Sequence, residues 1–453
     1  MRTTLRYMAG ILLVMNTLVA AAATDNVLGI PDGDATTVGI YVKNLSTGRV
    51  MASYNASMAM TPASVTKAVT TASALLALGP DFRFTTTVSL QGSRGADGVW
   101  NGNLVINSCG DPTIGSDEFE TKSALTDSIL GALKRAGIRT VTGRIVIKQT
   151  MKDAGACPTW ECEDIAWSYG AGLFGFNYAG NTVGVFPVKG TTTPPSTLKI
   201  RLIPSGGDSN DQIRGIDSNV LTVSGTARSR ANRQWRVSAS NPDPAYTYTR
   251  VLESRMADSG IKLGGDEVAA GNESTLCVYR SPEAAEICRN LMKRSDNMFA
   301  EGMLRAIDPE GTRDDCIDAV KDIWKERGLT VSSTIMHDGS GLTRSNRFSP
   351  LFLAGMLEYM AKSPLAETYT ACFPVAGIDG TMRGFGAKSA LKGRLAMKTG
   401  SLSSVQTYAG YRLDADGRPT HVVVVMVNGF FCPRPALRDA IVKYLLKVFE
   451  KEK

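Results

Sequence analysis

The stretch Thr61-Pro62-Ala63-Ser64-Val65-Thr66-Lys67, running on into Ala68-Val69-Thr70-Thr71-Ala72-Ser73-Ala74-Leu75-Leu76, decides how the rest of this 453-residue chain is read. Proline suits the first turn of a helix, where its missing N–H costs nothing, and the small and apolar residues after Lys67 suit a buried helical body. Ser64 and Lys67 therefore fall one turn apart on the same face. A serine hydroxyl is a weak nucleophile at neutral pH and needs a neighbour to take its proton. A lysine does this only when burial or a nearby cation favours its neutral form.

Three other Ser-x-x-Lys pairs serve as internal controls, at Ser196/Lys199, Ser259/Lys262 and Ser389/Lys392. The first lies beside Pro194-Pro195, the second runs through Gly260 near a helix end, and the third is flanked by glycines in a charged stretch. Only Ser64 opens a long apolar helix. Two further signals follow in chain order. Ser295-Asp296-Asn297 interrupts the helical period between Ile287 to Lys293 and Met298 to Ala306, where a polar triplet reads either as a helix cap or as side chains turned to a cleft. Lys398-Thr399-Gly400 occurs once, at the end of a short strand.

An active-site serine with its lysine, then Ser-Asp-Asn, then Lys-Thr-Gly is the signature of penicillin-binding proteins and class A β-lactamases. Three further motifs accompany the long interval between Ser64 and Ser295: Gly110-Asp111-Pro112-Thr113, Trp167-Ser168-Tyr169-Gly170-Ala171 and Asp338-Gly339-Ser340-Gly341-Leu342. With them the chain resembles, over nearly its whole length, the D-alanyl-D-alanine carboxypeptidase/endopeptidase family of low-molecular-mass class C penicillin-binding proteins, peptidase family S13. The resemblance implies a serine DD-peptidase that acts on peptidoglycan stem peptides and cross-links and is acylated by β-lactams.

In that reading Ser64 attacks the carbonyl of the penultimate D-alanine, Lys67 is its base, with a pKa lowered by the second cation Lys398, and Ser295 relays the proton to the leaving amine. Asn297 hydrogen-bonds the substrate backbone, and Lys398 and Thr399 meet the terminal carboxylate. Gly400 leaves room for the substrate lying as an added strand, and the N–H groups of Ser64 and Ser401 form the oxyanion hole. A serine β-lactamase, an esterase using the same Ser-Lys pair and a non-catalytic penicillin-recognising module are the alternatives. No cofactor is implied, and a homodimer is left open. Where the resembled family carries an acid-rich segment that helps recognise the diaminopimelate amine, this chain has Lys148-Gln149-Thr150, so Lys148 is expected to repel that ammonium.

Arg2 and Arg6 precede an apolar run from Tyr7 to Val19 that is too short for a membrane span, and Ala20 to Ala23 supply small residues for cleavage. Residues 1–23 read as a secretory signal peptide and the mature protein as periplasmic. Without them the formal charge falls from +7 to +5, and no run of basic residues like those used on nucleic acid occurs. Eight cysteines in an exported chain allow disulfides, Cys157/Cys162 being the first pair expected. They show no Cys-x-x-Cys zinc spacing, and with only His337 and His421 to help, no metal site is expected.

Val38 to Val42 and Arg49 to Tyr54 read as a hairpin, and Val422 to Val427 as a buried central strand with His421 at its end. Together with the helices around Ser295 and a closing helix from Ala436 to Phe449, they predict an α+β core: an antiparallel sheet built from both chain ends with flanking helices. The expected organisation is residues 24–82 and 285–453 as the catalytic domain, 83–186 and 243–284 as an inserted α/β domain, and 187–242 as a nested β-rich domain. Ala136-Gly137-Ile138 and Ser259-Gly260-Ile261, each followed by a Gly-led strand, read either as a small internal repeat or as two ordinary helix ends.

Overall fold

The computed structural model describes residues 26–31, 36–207, 210–265 and 271–451; the expected signal peptide lies outside them. The core is a five-stranded antiparallel sheet whose elements are labelled in chain order: β1 (Thr37–Asn44), β2 (Val50–Tyr54), β3 (Leu395–Leu402), β4 (Val405–Leu413) and β5 (Pro419–Asn428). Its spatial order is β3-β4-β5-β1-β2. The first strand pairs directly with the last, Thr37 opposite Asn428 and Asn44 opposite His421, so the sheet is built from both ends of the chain as its pattern predicts.

The unbroken apolar run of β5 explains its central place. Val422, Val424 and Met426 face one core and Val423, Val425 and Val427 the other, all fully buried. A strand has period two, so only a strand covered on both faces needs every position apolar; each buried valine contributes about 1.5–3 kcal/mol. The first core holds α1 (Thr66–Leu78), α2 (Ala284–Arg294), α3 (Asn297–Arg305), α4 (Arg313–Glu326), α5 (Pro350–Lys362) and α6 (Ala366–Cys372). The second lies under α7 (Arg434–Glu450). His421 sits at the strand end, hydrogen-bonded to Thr420 and edge-on to Phe449.

Between α1 and α2 a six-stranded sheet forms around Thr85–Arg94 and Val99–Asn107, with Glu273–Arg280 closing it antiparallel to Thr85–Arg94. Helices Ala124–Arg135 and Pro244–Asp258 cover it. The echoed segments behave alike. After each helix a glycine takes a left-handed conformation, Gly137 at φ 67° and Gly260 at φ 73°, and the strands that follow, Thr140–Val141 and Lys262–Leu263, pair in parallel. Of the strand expected from Gly265, only Gly265 lies among the described residues. Two three-stranded sheets lie between these helices: Val237–Ser240, Thr182–Phe186 and Thr191–Thr193 in one, and Asp211–Ile213, Val220–Gly225 and Lys199–Pro204 in the other.

The expected disulfide is corrected: all eight cysteines are free thiols. Cys157 is buried, with its Sγ against Thr159 Oγ1 (3.3 Å) and the His337 carbonyl (3.4 Å), while the exposed Cys162 lies beside the Glu163 carboxylate. The two side chains serve different surroundings in spite of the short loop between them.

Candidate active site

Ser64 lies in a 3-10 turn, Ala63–Val65, that leads straight into α1. Ala63 is fully buried at φ 49°, a left-handed conformation that costs a non-glycine residue about 1–3 kcal/mol. The Thr66 hydroxyl donates to the Ala63 carbonyl at 2.9 Å and holds the turn. Ser295 is a second such residue, at φ 64°, where it ends α2; Asp296 caps α3 by accepting the Phe299 N–H at 2.9 Å. The cap of α3 is Asp296 rather than the serine or the asparagine, and Ser295 and Asn297 face the cleft.

The three motifs meet around two buried lysines. Lys67 Nζ lies 3.1 Å from Ser64 Oγ, 2.6 Å from Asn297 Oδ1 and 2.6 Å from the Ser340 carbonyl. Lys398 Nζ lies 2.9 Å from Ser295 Oγ and 2.7 Å from the Thr399 carbonyl. Thr399 Oγ1 reaches Thr381 Oγ1 at 2.8 Å, Ser401 Oγ reaches Gln406 at 3.1 Å, and the Asn297 amide donates to the Tyr169 carbonyl at 2.7 Å. Ser64, Ser295, Thr399 and Ser401 line one cavity of about 300 Å³, which shares Ser295 and Thr381 with a neighbouring groove of about 780 Å³ reaching Tyr169, Lys293 and Arg236.

Burial brings the Lys67 ammonium down from 10.5 to about 8 against the opposing pull of Asp338, Asp296 and Glu301. Burial also drives Lys398 well below its usual range, with repulsion from Lys67 as the second cause. Desolvation is the largest cause for both lysines, and the mutual repulsion of the two cations works in the same direction.

Gly400 has a different reason from the one its place in the motif suggested. A side chain there would point at the serine turn, its Cβ 2.4 Å from the Pro62 carbonyl and 3.0 Å from Ser64 N. The glycine lets β3 lie against the nucleophile's turn; the open edge of the strand does not require it.

Sequence reasoning quoted the Asp338 loop as a motif but gave it no role, and it missed Trp160 and Thr381. Asp338, wholly buried, accepts from Gly341 N (2.8 Å), Asn346 Nδ2 (2.7 Å), Trp160 Nε1 (2.8 Å) and Thr343 N (2.9 Å), and so folds its loop over Lys67. Thr381 and Trp160 carry no local signal because their partners are distant in the chain. Lys148 lines neither cavity. It is ion-paired to Glu273 at 2.7 Å in the six-stranded sheet. Among the nearby acids, Asp153 pairs with Arg305, Glu161 with Arg344, and Asp164 accepts from the Tyr169 hydroxyl.

Residues 20–447 match the model of the D-Ala-D-Ala carboxypeptidase 3 (S13) family. The chain is similar to the D-alanyl-D-alanine carboxypeptidase DacB of Haemophilus influenzae, 28% identical over 433 residues that cover 88% of this chain and 87% of that protein. It is also similar to the D-alanyl-D-alanine carboxypeptidase of Actinomadura sp. (strain R39), 26% identical over 454 residues, 92% of this chain and 82% of that one. In fold it is similar to the crystal structure of penicillin binding protein 4 from Haemophilus influenzae, with a TM-score of 0.77 at 24% identity, covering 95% and 99% of the two chains. That protein has also been solved in complex with a β-lactam.

Proposed function

The chain belongs to the D-Ala-D-Ala carboxypeptidase 3 (S13) family, and from that premise we propose that it is a serine DD-peptidase of peptidoglycan stem peptides whose nucleophile is Ser64 and whose base is Lys67. One observation carries the assignment: Lys67 Nζ within 3.1 Å of Ser64 Oγ, with two firm acceptors on its other side. An ammonium has three protons for these three partners. A neutral amine keeps two, for Asn297 Oδ1 and the Ser340 carbonyl, and turns its lone pair to the serine hydroxyl. Burial makes that neutral form accessible near neutral pH.

Ser64 Oγ bonds to the carbonyl carbon of the penultimate D-alanine as its proton passes to Lys67. The oxyanion is received by the N–H groups of Ser64 and Ser401, each donor of such a hole being worth about 3 kcal/mol. When the C–N bond breaks, the proton held by Lys67 reaches the leaving amine through Ser295, whose hydroxyl is fixed by Lys398. Water then cleaves the acyl-ester with Lys67 again taking the proton. Asn297 and the edge of β3 hold the peptide backbone, and Thr399 with Lys398 meets the terminal carboxylate. β-Lactams form the same ester at Ser64.

The domain division set out above, export through residues 1–23 and a periplasmic location belong to the same reading. The work of a wall hydrolase outside the cytoplasm supports them, and no helix among the described residues is long and apolar enough to cross a membrane. The test is incubation of wild type and Ser64→Ala with muropeptide monomers and dimers, alongside mass mapping of a penicillin adduct. Loss of D-alanine release and of the adduct in the variant is expected; activity that survives the substitution refutes the mechanism.

A further inference from the structure

Lys67 is held by two acceptors besides Ser64, and both are governed from one helix. Asn297 begins α3 and supplies its side-chain oxygen directly. Glu301 stands one turn further along, on the same face. It is 2% exposed, and its Oε1 accepts both the Gly339 N–H (3.0 Å) and the Ser340 N–H (2.8 Å), the backbone of the residue whose carbonyl takes the Lys67 proton at 2.6 Å.

The loop has no slack elsewhere. A Cβ on Gly339 would lie 2.9 Å from the Ala300 carbonyl and one on Gly341 1.9 Å from the Ala63 carbonyl, so the loop is wedged between α3 and the serine turn. The other Glu301 oxygen, Oε2, is buried without a hydrogen-bond partner among the described residues. A carboxylate is a costly way to tie two N–H groups if tying them is its whole task, because its charge is left partly unmet.

We propose that Glu301 is a positioning residue for the acylation step: it fixes the Gly339–Ser340 backbone so that the Ser340 carbonyl and Asn297 together aim the Lys67 lone pair at Ser64, and it supplies negative charge beside Lys67. The inference rests on the DD-peptidase reading and assigns a duty that the three sequence motifs do not contain. The titratable and charged groups around Glu301 are Asp338 of the loop, Arg313 of α4, Cys157 and Lys67. Burial and Asp338 raise the carboxyl of Glu301, and Arg313 opposes them.

The test compares Glu301→Ala and Glu301→Gln with wild type, measuring thermal unfolding and the rate of Ser64 acylation by a fluorescent penicillin across pH. Freed of its tie, the loop carbonyl drifts, and Glu301→Ala should acylate about 10- to 100-fold more slowly with little change in the affinity of the initial complex. Glu301→Gln keeps an acceptor oxygen and should recover most of that rate. Both variants lose a negative charge beside Lys67, so the acid limb of each profile should move to lower pH, while recovery of the rate in Glu301→Gln but not in Glu301→Ala, at equal stability, marks the aimed carbonyl.

Wild-type rates in Glu301→Ala, or an unmoved acid limb in Glu301→Gln, overturn the proposal. If the alanine variant does not fold, the midpoint for the glutamine variant decides alone. Failure of the DD-peptidase reading looks different, since the wild type itself then forms no adduct at Ser64.

Discussion

Replacing Gly400 by alanine adds one methyl group at the point where β3 touches the nucleophile's turn. Gly400 is not among the positive-φ residues, so the backbone accepts alanine and the effect is steric. The new Cβ would lie 2.2 Å from Thr407 Oγ1 and 2.4 Å from the Pro62 carbonyl. Ordinary contact begins at 3.4 Å, so the carbonyl must retreat by about 1 Å and carry Ser64 with it. The Thr407 hydroxyl that donates to Pro62 at 2.6 Å is displaced as well. Overpacking of this kind costs about 1–3 kcal/mol of stability. A 1 Å misplacement of a reacting atom costs about 100-fold in rate. The assay is the second-order rate constant for acylation by a chromogenic or fluorescent β-lactam, with urea unfolding to separate the two effects. A folded Gly400→Ala protein that acylates at the wild-type rate would show that the contact between β3 and the serine turn does not set the geometry of attack.

Four further outcomes are expected. Acylation needs the neutral amine of Lys67, so its rate constant should rise with pH up to about 8 and level off above, as stopped-flow measurement across that value will show. In stability the sign runs the same way: the folded pKa lies below 10.5, the unfolded chain binds the extra proton between about 8 and 10.5, and stability rises with pH across that window. Trp160→Phe removes the indole donor from Asp338 and should lower the unfolding free energy by about 1.5–3 kcal/mol, read from urea titration, while slowing acylation through the loosened loop. Lys148→Ala breaks only an exposed pair with Glu273; stability should change by less than about 1 kcal/mol, and KM for amine-bearing peptides should stay as it is.

The sheet and its flanking helices were legible because their signals are local. An unbroken apolar run marks β5, and a proline before a small-residue run marks the start of α1. The meeting of Ser64, Ser295 and Lys398 was legible only through the ordered motifs, since nothing in their spacing brings residues so distant into contact. What holds them was not legible. Glu301 reads as one more polar residue on an amphipathic helix, and Asp338 as part of a motif without a stated role. Their importance lies in buried backbone N–H groups that the sequence does not display. The cysteines misled for a related reason: a short loop makes a pairing conceivable, but the direction of each side chain is decided by what packs around it. For Gly400, the motif gave the residue and packing gave its cause.

The pairing of β1 with β5 has a consequence for how the protein comes into being. Made from its N-terminus, the chain presents Ser64 and Lys67 early, but β1 waits for a neighbour far along the chain. Until residues 419–428 arrive, β3 and β4 have no central strand to dock on, and Lys398 cannot reach Ser295. Synthesis order thus keeps Lys398 from Ser295 until residues 419–428 have followed, a delay written into the topology.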